Sequence, residues 1–435
     1  MPSNSTFDRL KSPLAWVVGD QAIVSGARLL TQIAVARYAV ANSTGIGFYV
    51  STFGFVVLAV MFVESFVTTP INVFLPRQSN ERLPRFFADS LRLMFQIVGA
   101  TGLACLLVLA ISIFFNWEIS QRIATVLLWY LPLHLVREYG RRWMLAVNRN
   151  RSLLVFDAVT SVVLLIALAF ASQSSWFDAT YAFLLTTVAN LMFVVLWWLQ
   201  FRTEIAFDGV DGSDFRDDAR GFGRWVAAEG LFSILLVYFT QWQITSTLGE
   251  VEADRYGACL TLVFLANPLL LGITSYFSPR AARTYSEQGN AAMQVSTNRI
   301  AAGVVGLLLV LAMVIFVAGD SLMPMIFGQR FQGLGSTVAV LSFGMVMLGI
   351  SFVYATALQA ARAPKLNFIA SILAGTLVVV CSLFLLAQSL QGAAWAFLIS
   401  AAVGALARVL FLYWHLRQVQ LDGESTATEA KATGN

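Results

Sequence analysis

The chain has 435 residues, of which 58% are hydrophobic and only 12% are charged, whereas an ordinary soluble domain has about 25% charged residues. Mean hydropathy is +0.73. A soluble protein cannot bury so much apolar surface, but a lipid bilayer solvates it directly. The composition therefore excludes a soluble globular domain and predicts an integral membrane protein. The net charge of +4 is small and spread along the chain, so we expect no nucleic-acid partner.

Stretches with few or no charged residues predict the membrane spans, since a helix needs about 20 apolar residues to cross the hydrocarbon core. In chain order, the predicted spans are 14–38, 38–63, 93–117, 121–142, 158–177, 179–201, 230–249, 256–279, 300–319, 331–361 and two within 366–407. The last stretch is too long for one crossing, and Ser389, Gln391 and Gly392 predict the turn that divides it. The sequence thus predicts an all-α membrane protein with about twelve transmembrane helices.

The distribution of positive charge supports this number of spans. With the N-terminus in the cytoplasm and alternating orientation, the cytoplasmic segments hold 23 of the 28 Lys and Arg residues. Basic residues are enriched on the cytoplasmic side of membrane proteins. We therefore expect a multi-pass protein with both termini in the cytoplasm.

Short internal matches predict two lobes of six helices each. Pro76–Arg77 closes the second span as Pro279–Arg280 closes the eighth, and LAVNR at 145–149 corresponds to LQAAR at 358–362. Because both halves start inside, this would be a parallel repeat, a common plan in transporters. The predicted divisions are an N-terminal lobe over 1–200, a cytoplasmic linker over 201–221, a C-terminal lobe over 222–418 and a disordered cytoplasmic tail over 419–435.

Polar residues on one face of the first span are candidates for a substrate site. Gln21, Ser25, Arg28 and Gln32 follow a spacing of four, three and four residues, which puts them on one helix face. An arginine at this depth is costly and is a functional candidate by default. Arg28 could bind an anionic headgroup in a water-filled cavity, or it could form a structural salt bridge with Asp20 or Glu64.

A second stripe of polar residues lies in the fourth span. Tyr130, His134, Arg137 and Arg141 follow the same spacing. Arginine offers several donors in a planar fork that suits phosphate oxygens. The stripe could guide a phosphate-bearing headgroup into the protein, or its arginines could be ordinary cytoplasmic anchors.

Three carboxylates in the cytoplasmic halves of their spans are candidates for ion coupling. Asp20, Glu64 and Glu229 could each bind H+ or Na+ and bias two conformations. The alternative is a structural role in pairing with Arg28 or in capping helices. The sequence has no hydrolytic triad, nucleotide-binding fingerprint or zinc motif, so we expect a protein that is not an enzyme, with no catalytic residue, no cofactor and no metal site.

Four short motifs resemble the polysaccharide-transporter flippases. These are GDQAIVS at 19–25, GIGFY at 45–49, REYGRR at 137–142 and FGQRF at 327–331. The flippases export O-antigen and exopolysaccharide units and belong to the MOP superfamily, which also includes the drug and toxin extruders. The resemblance implies two six-helix lobes around a central cavity, with Arg28, His134, Arg137 and Arg141 lining it. Leu236 stands where Arg28 would have its counterpart, which favours binding by the N-terminal lobe.

The resemblance also implies a function. Undecaprenyl-diphosphate-linked oligosaccharide repeat units would cross from the cytoplasmic to the periplasmic leaflet of the bacterial inner membrane by alternating access, for surface polysaccharide biosynthesis. Membrane lipids, a polysaccharide polymerase and glycosyltransferases would be the expected partners. The alternative function is an ion-coupled multidrug or toxin antiporter, and a third is a membrane scaffold without transport activity.

Overall fold

A computed structural model describes residues 13–39, 44–75, 83–205, 213–385 and 389–433. Within these ranges the chain is almost entirely helical and contains no β-strand. The prediction of an all-α membrane protein is therefore confirmed. Helices suit a chain of this composition because they satisfy all backbone hydrogen bonds inside the bilayer.

Thirteen α-helices are described, and we number them in chain order. They are α1 Pro13–Tyr38, α2 Ile46–Val63, α3 Thr69–Phe74, α4 Leu83–Phe114, α5 Glu118–Ala146, α6 Asn150–Ala171, α7 Ala179–Phe201, α8 Ser213–Thr247, α9 Glu250–Val263, α10 Asn267–Phe327, α11 Gly335–Ala360, α12 Pro364–Leu385 and α13 Leu390–Thr433.

Helices occupy all twelve predicted spans. Nine helical segments in the described ranges are long and apolar enough to cross a membrane. The other three predicted spans correspond to α1, to α8, and to α9 together with the first part of α10. Gly289 interrupts α10 with a φ of 80°, a backbone conformation that glycine adopts at little cost. This break separates the eighth predicted span from the ninth.

Three connecting regions differ in part from their predictions. Of the turn predicted at 389–392, Gln391 and Gly392 already belong to α13, which starts at Leu390. Ser389 Oγ accepts the N–H of Gly392, and residues 386–388 lie outside the described residues. The linker predicted over 201–221 is helical from Ser213 onward, where α8 starts, and residues 206–212 lie outside the described residues. Helix α13 continues to Thr433, into the tail predicted to be disordered. Three alanines and two glutamates in that tail favour helix.

The chain divides into two compact units. One comprises Met1–Leu231 and Thr245–Gly257, and the other comprises Phe232–Ile244 and Ala258–Asn435. Helix α8 contributes to both units. The lobe boundaries predicted from sequence, at 200 and 222, remain a prediction.

In the N-terminal unit, α1 packs on α6, and α5 packs against α2, α4 and α7. Its core includes an aromatic group that is almost inaccessible to solvent, formed by Tyr139, Trp143 and Trp197. The Tyr139 hydroxyl lies 2.7 Å from Ser90 Oγ on α4. These contacts fix α5 at the centre of the unit, and α5 carries most of the polar residues described below.

Two turns with the same geometry occur in the two units. After α5, Asn148 has a φ of 59°, and after α11, Arg362 has a φ of 59°. Arg149 donates its N–H to Met144 O, and Ala363 donates its N–H to Leu358 O, each at 2.9 Å or less. The equivalent residues are 214 positions apart, so the offset of 213 inferred from LAVNR and LQAAR is one residue too short.

A π-helical turn directly follows the second predicted span, 38–63. Residues Glu64–Thr68 have this conformation between α2 and α3, and Pro70 follows it. Single π-helical turns within α-helices are rare. Helix α8 approaches this turn closely, since a Cβ at Gly223 would lie 2.7 Å from Ser65 O. Only glycine fits at that position without displacement of α2.

Candidate functional site

A polar cavity of about 50 Å³ lies inside the N-terminal unit. The side chains that line it come from five helices, α1, α2, α5, α6 and α7. They are Val24, Ala27, Arg28, Thr31, Tyr49, Phe53, Tyr130, His134, Arg137, Thr160, Ser161, Leu164, Thr186, Ala189 and Asn190. The cavity thus brings together one stripe of α1 and the stripe of α5.

Arg28 is the cation of this cavity that has no carboxylate in ion-pair contact among the described residues. Its guanidinium carbon lies 4.4 Å from the centre of the Phe53 ring, within the range of a cation–π interaction. The side chain is exposed. The salt bridge considered for Arg28 is absent from the described contacts because Asp20 pairs with Arg141 and Glu64 with Arg142.

His134 lines the cavity and is 5% exposed. Its Nδ1 lies 3.1 Å from the Tyr130 hydroxyl and 3.4 Å from Asn190 Nδ2. Tyr130 stacks on the imidazole ring at a centroid distance of 5.1 Å. His134 therefore takes part in a buried hydrogen-bond network that reaches from α5 to α7.

Arg137 and Arg141 belong to a buried ion cluster, which we define as Asp20, Arg137, Glu138, Arg141 and Asp157. Arg141 Nη2 lies 2.7 Å from Asp20 Oδ2, and its Nε lies 2.6 Å from Asp157 Oδ2. Arg137 Nη2 pairs with the other oxygen of Asp157. Glu138 lies 3.4 Å from Arg141 and 3.5 Å from Arg137. The ion cluster ties α1, α5 and α6 together.

The charges in the ion cluster do not balance. Three carboxylates face two guanidinium groups, so one negative charge is in excess when all five groups are ionised. Asp20 is 2% exposed, and its Oδ1 has no hydrogen-bond partner in the described part of the chain. A buried carboxylate oxygen without a donor is unfavourable unless a cation or proton satisfies it.

The other predicted site residues lie elsewhere. Gln21 donates to Ser25 Oγ at 3.3 Å, and neither Gln21 nor Gln32 lines the cavity; Thr31 lines it in their place. Glu64 pairs with Arg142 and has a side chain that is 41% exposed. Glu229 lies partly buried in α8 and is not among the cavity residues.

The most important residue missed by the sequence reasoning is Asp157. Asp157 directly precedes the span predicted over 158–177, but α6 begins at Asn150, so Asp157 lies two turns inside the helix and is fully buried. Its spacing of four residues from Ser161 and three from Thr160 was an available signal, because the three form a polar face. The asparagine of α7, Asn190, was also missed.

No protein-family model matches this chain, and no curated protein sequence matches it. The fold nevertheless matches solved structures of transporters. An outward-facing multidrug resistance MATE family transporter of the MOP superfamily matches with a TM-score of 0.70 at 13% identity, covering 96% of this chain and 99% of that chain. An inward-facing multidrug resistance MATE family transporter has a TM-score of 0.70 at 14% identity, covering 94% and 96%.

A third structure is a MOP superfamily transporter from Pyrococcus furiosus, described as having a binding pocket of reverse polarity that suggests a different function. It matches with a TM-score of 0.71 at 13% identity, covering 97% of this chain and 100% of that chain. Likenesses at such low identity establish the fold and leave the cargo open. The chain has the helical fold of the MOP superfamily transporters and is a multi-pass membrane protein.

Proposed function

We propose that this chain is an ion-coupled transporter that carries an amphiphile with an anionic headgroup. The specific cargo proposed is an undecaprenyl-diphosphate-linked oligosaccharide repeat unit, moved from the cytoplasmic to the periplasmic leaflet by alternating access for surface polysaccharide biosynthesis. The observation that carries this proposal is Arg28, an exposed cation in a polar cavity with no described carboxylate paired to it.

The charge of Arg28 discriminates between cargoes. Between like charges a few ångströms apart, repulsion is severalfold stronger in a partly buried site than in water. A cationic drug in this cavity would meet both Arg28 and Arg137. A diphosphate would gain charge-assisted hydrogen bonds to the planar guanidinium of Arg28.

The ion cluster reduces the number of arginines that could bind the diphosphate. Arg137 and Arg141 were candidates for binding the diphosphate directly, but their guanidinium groups already pair with Asp20, Glu138 and Asp157. Recruiting them would uncover buried carboxylates at a high energetic cost. Arg28 is therefore the proposed phosphate ligand, with His134 and Asn190 as neutral neighbours.

The second candidate function is an ion-coupled multidrug or toxin antiporter, and the comparisons favour it. Two of the solved structures that share the fold are multidrug resistance transporters. The excess negative charge of the ion cluster would also suit an antiporter that exchanges a cation for its cargo. The fold alone cannot decide between the two functions, so the sign of the cavity charge has to be tested.

For the coupling ion, we propose that Asp20 is the principal site, with Asp157 beside it. Its unpartnered Oδ1 and the excess charge of the ion cluster both favour uptake of one H+ or Na+. Glu64 is a weaker candidate because it is partly exposed and already paired with Arg142. Glu229 remains a candidate in α8.

The remaining parts of the proposal concern the cellular setting. A carrier of lipid-linked sugar would lie in the bacterial inner membrane with both termini in the cytoplasm, as the distribution of Lys and Arg indicates. It would catalyse no reaction of its own and would deliver its cargo to a polysaccharide polymerase. Glycosyltransferases would supply that cargo on the cytoplasmic side.

The test uses the purified protein in proteoliposomes. Undecaprenyl-diphosphate-linked sugar and a fluorescent cationic drug are offered separately to the wild type, to Arg28→Gln and to the control Arg151→Gln, whose side chain is exposed at the start of α6. We expect transport of the lipid-linked sugar by the wild type and by Arg151→Gln, and its loss in Arg28→Gln.

The opposite pattern would identify the antiporter. If the wild type exports the cationic drug, ignores the lipid-linked sugar, and transports more drug after Arg28→Gln, the anionic-cargo proposal is wrong. In cells, the flippase predicts that deletion causes lipid-linked units to accumulate and surface polysaccharide to disappear, without drug hypersensitivity.

A further inference from the structure

A second, apolar opening lies in the N-terminal unit, on the side of α2 and α5 away from the polar cavity. It is a groove of about 330 Å³ between α2, α4 and α5. Phe55, Phe62, Cys105, Val108, Leu127 and Leu131 are among its walls. We call it the prenyl groove.

The lining of the prenyl groove is almost entirely apolar. Thr101 and Ser120 are its two hydroxyl-bearing residues. The Thr101 hydroxyl donates to the carbonyl oxygens of Ile97 and Val98, at 3.0 Å each, so helix α4 itself satisfies it. The groove therefore suits a hydrocarbon chain.

Small side chains create the room in the groove. Ala59 on α2, Ala104 on α4 and Ala124 on α5 all lie in its lining, where larger residues would let the helices fill the space between them. The apolar stretch of α4 is only 6% buried within the protein. The groove therefore opens toward the hydrocarbon region of the bilayer.

The prenyl groove and the polar cavity share two walls. On α2, Phe53 lines the cavity and Phe55 lines the groove. On α5, Tyr130 lines the cavity and Leu131 lines the groove. A headgroup held at Arg28 is thus separated from the groove by the thickness of one helix layer.

We infer that the prenyl groove binds the polyprenyl chain of the cargo whose diphosphate Arg28 holds, an inference that rests on the proposed function. Transfer of a hydrocarbon chain from the bilayer to the groove releases little free energy by itself, because lipid tails are as apolar as the groove. A chain tethered to a bound headgroup, however, is present at a high effective concentration. Tethering favours the cargo chain over the ordinary lipids around it.

The experiment maps which chains reach the groove. The full-length protein is reconstituted in phospholipid nanodiscs with undecaprenyl diphosphate that carries a photoactivatable diazirine on its chain. In parallel, a phospholipid carries the diazirine on its acyl chain. After illumination, mass spectrometry locates the crosslinked peptides. Binding of the diphosphate headgroup is measured separately with radiolabelled lipid.

We expect the prenyl probe to crosslink around Phe55, Cys105 and Leu127, and excess unlabelled undecaprenyl diphosphate to reduce this severalfold. The substitution Ala104→Phe should fill the groove and reduce these crosslinks. The control Leu107→Phe, on an exposed side chain of the same helix outside the groove, should not. Ala104→Leu serves the same purpose if the larger side chain prevents folding.

Two results would overturn the inference, and they differ from failure of the proposed function. Equal crosslinking by the phospholipid probe, without competition, would mean that ordinary bilayer lipid fills the groove. Headgroup binding that depends on Arg28 but gives no groove crosslinks would refute the groove and leave the function standing. Absence of any Arg28-dependent binding would refute both.

Discussion

The two units hold a buried arginine in different ways. In the N-terminal unit, Arg141 pairs with Asp20 and Asp157. In the C-terminal unit, Arg408 is 6% exposed, and its described hydrogen bonds include three to neutral side-chain oxygens. These acceptors are Asn367 Oδ1 at 2.7 Å, Ser351 Oγ at 2.7 Å and Ser371 Oγ at 2.6 Å.

The internal repeat makes this comparison sharper. With the offset of 214 residues set by the matching turns, Ser351 corresponds to Arg137, and Ser371 corresponds to Asp157. A charged pair in one unit is thus replaced by two hydroxyls in the other, and α13 supplies the arginine between them. Carboxylates can take up a proton or metal ion, whereas hydroxyls do not titrate near neutral pH. The proposed ion coupling therefore concerns titratable groups of the N-terminal unit, whereas the described contacts of Arg408 join helices of the C-terminal unit.

The largest loss of stability is expected from Asp157→Asn. The substitution removes the carboxylate that pairs with both Arg137 and Arg141, and breaking a buried pair on one side costs about 3–5 kcal/mol. Unfolding of the detergent-solubilised protein, followed by intrinsic fluorescence, measures the loss. Glu118→Gln, on an exposed carboxylate at the start of α5, is the control and should unfold like the wild type. A loss as small as that of the control would show that the ion cluster does not hold α1, α5 and α6 together.

A smaller loss of stability is expected from Ser371→Ala, at the position in the C-terminal unit that corresponds to Asp157. Ser371→Ala removes one hydrogen bond to the Arg408 guanidinium, which is worth about 1.5–3 kcal/mol for a charged donor. The same unfolding measurement gives the value. Transport should keep its dependence on the ion gradient, since no titratable group is lost. Loss of gradient dependence in Ser371→Ala would contradict the division of roles between the units.

The substitution Asp20→Asn should separate coupling from stability. Asp20 pairs with Arg141 alone, whereas Asp157 pairs with both arginines, so we expect a stability loss of about 1.5 kcal/mol, as for one hydrogen bond to a charged group. Cargo binding should remain, but an imposed H+ or Na+ gradient should no longer drive transport in proteoliposomes. Glu64→Gln is the matched control and should stay coupled. Normal coupling in Asp20→Asn would move the ion site away from the cluster.

The smallest effect is expected at the exposed pair of Glu64 and Arg142. Both side chains are more than two-fifths exposed, and exposed ion pairs contribute about 0.2–1 kcal/mol. A double-mutant cycle with Glu64→Gln and Arg142→Gln isolates this coupling. High salt should reduce it further. A coupling energy near that of the buried ion cluster would mean that the pair is shielded from solvent in the membrane-embedded protein.

The sequence predicted the helical class and every span, because hydropathy and the distribution of Arg and Lys are averages over many residues. The resemblance to the flippases implied that Arg28 and His134 line one cavity, and both are in the lining of the polar cavity. The sequence could not predict the partners of Arg137 and Arg141. Those depend on Asp157 of α6, whose burial follows from the start of that helix and from packing between helices distant in sequence.

The sequence also could not predict which face of α1 lines the cavity. The stripe of Gln21, Ser25 and Gln32 was chosen because its members are polar, yet α1 turns Thr31 toward the cavity with Arg28. Spacing defines which residues share a face, but the neighbouring helices decide how the helix is rotated about its axis. That rotation is a property of the packed unit, and no local pattern encodes it.

The π-helical turn at Glu64–Thr68 has a consequence for comparing homologous genes. Such a turn holds one residue more than the α-helix around it requires, and one residue corresponds to a rotation of about 100° about the axis. A homologue that lacks a single codon in this stretch would form an unbroken α-helix, and α3 would present the same face toward its neighbours. An alignment gap of one residue near Glu64 would therefore mark loss of the π-helical turn, whereas a gap of one residue elsewhere in the span would rotate α3 against α5.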